Sequence, residues 1–235
     1  MPKKERNKRP LPSDSQVSEG ANLALTNARR HMRVAEVLGA ERLFGPASTH
    51  VVLALEELAK SWVLTFIVIG VDVPKSLRSD VMKKHTTRHS LAFGTLFSKA
   101  IRSLVFSAIA RSHRSGDGSL KQMKKELKKE ARSSRFTATL EWIIDANDLK
   151  NRGLYVDFDG KKWSHPGRIS KKSFLFGYQI AEGLLREQSK TLRKIHRTGF
   201  KADDSFKKLM GDALTISQTN DEEKRLKETI KFILS

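Results

Sequence analysis

The chain of 235 residues contains no cysteine, which excludes disulfides, zinc-thiolate sites and thiol nucleophiles at once. It also lacks a membrane-length apolar run. Its most apolar segment, WVLTFIVIGV at Trp62 to Val71, is half the length of a span and follows Glu56, Glu57 and Lys60 directly. The first residues, MPKKERNKRPLPSDSQ, have no apolar stretch of the kind a secretory signal needs and read as a disordered basic arm over residues 1–17. A cytoplasmic protein without a membrane association is the expectation. The seven histidines fall in no H-E-x-x-H or comparable spacing, so neither a metal nor any other cofactor is expected.

Acidic residues are scarce relative to basic ones: 26 Asp and Glu against 45 Lys and Arg leave a net charge of +19. A surplus of that size builds a positive potential that attracts phosphate backbones, so RNA or a ribosome is the expected partner, with plain solubility as the bland alternative. The hydrophobic share of 38% suits one globular core.

The pattern along the chain is helical. Leu23, Ala24, Asn27, Ala28, His31, Val34, Ala35 and Leu38 recur at three and four from Ser18, and Gly39 or Gly45 with Pro46 ends that run. A second helix, capped by Ser48 or Thr49, runs through VVLALEELAKSWVLTFIVI to Gly70 and is apolar nearly all round, as a central bundle helix is. After the loop VDVPKS a third helical region runs from about Ser79 past His85 and His89. It leads into an apolar stripe from Phe93 to Ala108 and the loop SHRSGDGS. The very basic LKQMKKELKKEARSSRF comes next. A fourth helix follows, carried by Phe136, Leu140, Ile143, Ile144 and Asn147 toward Leu149.

The helical pattern is then interrupted by LYVDF and KKWSH around the turn Asp159-Gly160, a hairpin-like excursion near residues 153–165. Leu154, Val156 and Phe158 alternate onto one side, expected to pack on the bundle, with Tyr155 and Asp157 on the other. A fifth helix starts at Ser170 with Phe174, Tyr178, Ala181, Leu185 and Leu192 in its stripe, and weaker amphipathic pieces occupy Asp203 to Ile216 and Glu222 to Leu234.

Two constellations carry chemistry. In ALEELAK, Glu56 and Glu57 both reach Lys60 on one helix, and among Leu53, Leu55, Leu58 and Trp62 at least one charge lies in or beside the core. Such a charge needs a partner, either as a register-fixing salt bridge or as a functional polar centre. In KKHTTRH, His85 lies at i,i+3 with Arg88, an imidazole beside a guanidinium. That pairing suits phosphodiester chemistry, while a solvated basic helix start is the plain alternative.

TNARRHMRVAEVL, then ALEELAK on an apolar helix, then His85 and Arg88, then NRGLYVDF with a proline before the last long helix, together resemble the AbiV family of bacterial abortive-infection proteins. The resemblance covers roughly Ser18 to Lys194. It implies an all-α, HEPN-like helical bundle over residues 18–200 with the short hairpin insertion, followed at 201–235 by C-terminal helices available for homodimerisation. It further implies that the segment after Gly153 clamps across the bundle, bringing Arg152, Tyr155 and Asp157 toward Glu56, Glu57, Lys60, His85 and Arg88. HEPN ribonucleases use Arg, four to six residues, then His. Here only Arg78 and His85 have that spacing, with Ser79 where the family carries Asn or Asp.

The implied function is a phage-defence effector acting on RNA or the translation machinery. His85 would be its acid/base group and Arg88, Arg78 or Arg152 its phosphate binders, as in a metal-independent endoribonuclease. The alternatives are a non-enzymatic module that binds RNA or protein, and a sensor activated by a phage protein.

Overall fold

The computed structural model describes residues 13–92 and 134–216 apart from 159 and 162, together with positions 94, 122, 125, 126 and 129. The expected apolar stripe from Phe93, the Ser112 to Ser119 loop, most of the basic stretch after it, the side chains of the Phe136 set and the Glu222 to Leu234 piece lie outside the described residues.

Helix α1 spans Asp14–Ala40. It starts four residues before the expected Ser18, because Gln16 reaches back to the Ser13 backbone N–H at 2.8 Å and Val17 is already buried in the core. Ser13-x-x-Gln16 is a capping box, which draws the first turn out of the basic arm. The chain reverses over Glu41 to Leu43, with Arg42 at φ 62° and the Leu43 N–H bonded to the Leu38 carbonyl at 2.9 Å.

Helix α2 covers Phe44–Val68, beginning ahead of the expected Ser48 or Thr49 cap. Gly45 and Pro46 therefore fall in its first turn, where a missing proline N–H leaves no hydrogen bond unmade. Buried on most of its circumference, α2 is the central helix, packed on α1, on α4 (Ser134–Arg152) and on α5 (Lys171–Thr198).

The bundle closes through small residues. The ring of Phe174 lies on Gly39, and the indole of Trp142 lies on Gly177, so that a Cβ at either glycine would overlap the ring. The buried face of α4 is Trp142, Ala146 and Leu149, an i, i+4, i+7 stripe. Helix α5 is capped by the Ser170 hydroxyl at one end and stopped by Gly199 in the left-handed conformation at the other.

A second apolar cluster of Val63, Ile69, Val71, Val73, Leu77, Val81, Ile195 and Ala202 seals the far end of α2. Helix α6 (Asp204–Ile216) packs there through Met210, so the first of the two C-terminal pieces lies against its own chain. The expected continuous third helix is two: α3 (Lys75–Lys83) ends at Lys84, whose backbone is extended, and residues 85–92 are helical again. None of the described helices is long and apolar enough to cross a membrane.

The hairpin forms, with β1 (Asp157–Phe158) antiparallel to β2 (Trp163–Ser164) and Phe158 paired with Trp163. Its expected packing does not. Leu154, Val156 and Phe158 are 47%, 64% and 49% exposed. Helix α4 runs on to Arg152, and Gly153 then sits so close to Thr49 and the Gly45 carbonyl that a Cβ would not fit. The chain leaves the bundle at that contact, folds back on itself through the β1–β2 pairing, and returns where Pro166, in the 3-10 turn Pro166–Arg168, presses on Gly45.

Candidate functional site

The apolar character of α2 buries Glu56, which is 1% exposed and must therefore be matched by cations. Two segments supply the partners, helical residues 85–92 and the end of α4. His85 Nδ1 lies 3.0 Å from Oε2, Lys150 Nζ lies 2.7 Å from Oε1, and His89 Nδ1 stands 3.6 Å from Oε1. Burial alone would raise the pKa of this carboxyl. The close approach of His89 and the hydrogen bonds of Lys150 and His85, with the charge of Lys150, outweigh that and hold it at about 2.

Glu57 accepts from Arg88 Nη1 at 2.7 Å, with Lys60 Nζ at 3.9 Å from its other oxygen. Arg88 is itself buried, so this pair clasps helical residues 85–92 onto α2. Because the Glu56 carboxylate can only accept, His85 donates from Nδ1, and its 65% exposed side chain presents Nε2 outward. The polar centre thus reaches solvent at one imidazole whose orientation a buried carboxylate fixes.

Glu56, Glu57, Lys60, His85 and Arg88 come together. Of the other expected members, Arg78, Arg152 and Tyr155 do not join them. Arg78 donates from Nε to the Val73 carbonyl at 2.8 Å and lies 3.6 Å from Asp72. Arg152 is exposed and bonds the Asp148 carbonyl of its own helix, and Tyr155 is 63% exposed. The position of the Asp157 side chain lies outside the described residues. The clamp expected of Arg152 and Tyr155 is replaced by Lys150: the end of α4 is set by Thr49, which donates to the Lys150 carbonyl at 2.9 Å, and this aims the ammonium at Glu56.

Lys150 was legible in principle, because it continues the Trp142 and Ala146 face at i+4. The same holds for a second histidine pair. His31 follows the buried Ala24 and Ala28 face of α1, and His50 stands between Ala47 and Ala54 on α2. Their Nδ1 atoms are 3.0 Å apart and their ring centres 5.3 Å, an edge-to-edge approach in which one ring donates and the other accepts. Both are half-buried and have lowered pKa values. Burial is the main cause for each. The charges of Glu57 and Glu56 counter it at His31, while His31 adds to it at His50. Among the described residues no three His, Asp or Glu side chains are arranged to hold a metal ion.

A separate neutral network crosses the core two turns further along α2. Gln188, wholly buried, donates to Ser61 and Thr65, each at 2.9 Å, and Ser61 donates to the Ala21 carbonyl at 2.9 Å.

The described helices form an all-α bundle of the HEPN-like class. The family model of AbiV matches residues 16–186, well over half of the chain, and the chain belongs to this family of abortive-infection proteins of phage defence. Comparison with curated proteins and with solved structures gave no match.

Proposed function

We propose that this AbiV-family chain is an RNA-directed effector, with His85 as the acid/base group of a phosphodiester cleavage. The observation that supports this most is the carboxylate-oriented, solvent-facing imidazole of His85 on a protein of net charge +19. With Nδ1–H held by Glu56, Nε2 accepts the proton of a ribose 2′-hydroxyl as that oxygen attacks the adjacent phosphorus. The 5′-oxygen leaves and takes up a proton from water, giving a 2′,3′-cyclic phosphate and a free 5′-hydroxyl. Arg88 is then a positioning residue, since its guanidinium is buried against Glu57, and the exposed Lys83 close in sequence to His85 is a cation that can meet phosphate, Lys84 being paired with Asp80 at 2.8 Å.

A second reading, a module that binds RNA without cutting it, is favoured by the same charge pairing: Arg88 and Lys150 are both committed to carboxylates. Incubating the purified protein with total RNA in EDTA separates the two. Cleavage by the wild type that disappears in His85→Ala, while Lys83→Ala weakens it, supports the enzyme. Salt-sensitive binding with no cleavage products supports the binding module. Cleavage that survives His85→Ala rules out His85 as the acid/base group.

A further inference from the structure

We infer that the hairpin between Gly153 and His165 is a stacking platform for single-stranded RNA, a step that rests on the RNA-directed reading above and gives that RNA a second place to bind. The hairpin carries Leu154, Tyr155, Val156, Phe158 and Trp163, all at least 47% exposed. Large apolar side chains scattered singly over a surface need no explanation, but five of them on one small excursion mark an interaction site.

Two features make the excursion a platform rather than a loose loop. Its ladder is only two residue pairs long, too short to stand alone, yet Phe158 and Trp163 are direct cross-strand partners with ring centres 5.2 Å apart. Both rings therefore project from the same face. Both feet are also fixed to α2, one where Gly153 meets Thr49 and the other where Pro166 meets Gly45.

Charge decides the occupant. Residues 151–172 contain six Lys and Arg against two Asp, within a chain that is already strongly basic. Exposed aromatic rings beside lysine and arginine are the elements by which proteins hold unpaired strands: every base offers a face to stack on, and the cations follow the phosphates. A duplex hides its base faces and offers such rings nothing to stack on. An anionic membrane fits less well, because the sequence intersperses two acidic residues, Asp157 and Asp159, among the aromatic ones, and these would be repelled by anionic headgroups.

The test is an anisotropy titration of the full chain with a fluorescein-labelled single-stranded oligoribonucleotide and with its duplex, at several salt concentrations. The wild type is expected to prefer the single strand. Trp163→Ala and Tyr155→Ala should each weaken that binding by about tenfold, and Trp163→Phe should largely restore it because a ring is again present. The dependence on salt should stay that of the wild type, since no phosphate contact is removed. Each of these side chains is solvent-exposed, so the variants should keep the wild-type thermal transition.

Wild-type binding that neither alanine variant changes would overturn the platform while leaving the RNA-directed reading in place. No RNA binding by the wild type would overturn both. A wild-type oligomer, or binding to phosphatidylserine vesicles, that is lost in Trp163→Ala without any change in RNA affinity would assign this face to a second copy or to a membrane instead, and overturn the proposal.

Discussion

Helix α2 holds two polar networks of opposite kind. Around Glu56 and Glu57 it gathers polar and ionic partners from two other segments and reaches solvent at His85, whereas around Ser61 and Thr65 it meets one amide, Gln188, and the network stays inside. Hydroxyls and an amide fasten α1, α2 and α5 with short hydrogen bonds and no charge to neutralise. A carboxylate in the same helix would be a costly alternative if fastening were all that was needed, because a buried ion must be matched almost completely. What the charged network adds is a route to the surface and a defined histidine tautomer. The difference between the two separates a core tie from a candidate reaction centre.

That contrast can be broken or sharpened by experiment. The largest effect is expected from Glu56→Ala, which leaves the Lys150 ammonium without its buried partner and should lower stability by about 3 kcal/mol in chemical denaturation. Gln188→Ala should lower it by about 2 kcal/mol, from lost hydrogen bonds and a small cavity, with no change in any activity on RNA.

The two losses should respond differently to pH. The pKa of Glu56 is depressed from 4.5 to about 2, so the unfolded state binds the extra proton, and the stability this group contributes is present above 4.5 and lost as pH falls toward 2. The decrement in Glu56→Ala should therefore shrink over that interval while that of Gln188→Ala stays constant. His31 and His50 act in the same sense: their pKa values lie below 6.5 in the folded chain, so wild-type stability begins to fall as pH drops through 6.5. The smallest change in stability belongs to His85→Ala, about 1 kcal/mol, because the lost hydrogen bond to Glu56 lies at an exposed side chain where water can take its place. The same substitution should reduce RNA cleavage by about a hundredfold or more. A His85→Ala protein as unstable as Glu56→Ala would show that the imidazole is one more internal tie, and the distinction between the networks would vanish.

Much of the fold was legible because burial and helical period agree. The all-round apolar pattern of α2 marked it as central, and Ser170 and Gly199 bracket α5 as their chemistry dictates. The hairpin turn was legible from Asp159-Gly160, with Gly160 at φ 88°. The candidate site was legible only in part. That Glu56 required partners follows from its apolar neighbours, and His85 was a natural candidate.

The choice of Lys150 over Arg152 and Tyr155 depends on where α4 ends, at Arg152 rather than near Leu149 where its apolar pattern runs out, and helix ends are set by tertiary contacts such as Thr49 on the Lys150 carbonyl. Alternation within LYVDF suggested extended chain, which forms strand at Asp157 and Phe158 while Leu154 still belongs to the turn after α4, and it did not tell which way the side chains face, since a hairpin anchored at its feet has no obligation to lie on the bundle. The pairing of His31 with His50 required knowing that α1 and α2 fold back on each other with those faces in contact.

Lys150 serves twice, through its carbonyl to Thr49 and through its ammonium to Glu56. With both ends of one residue engaged about two turns apart on α2, the last turn of α4 is keyed like a shaft in a slot: it can neither rotate nor slide by a residue without releasing both bonds together. The neutralisation of Glu56 is therefore also a check on alignment, satisfied by a single setting of the two helices.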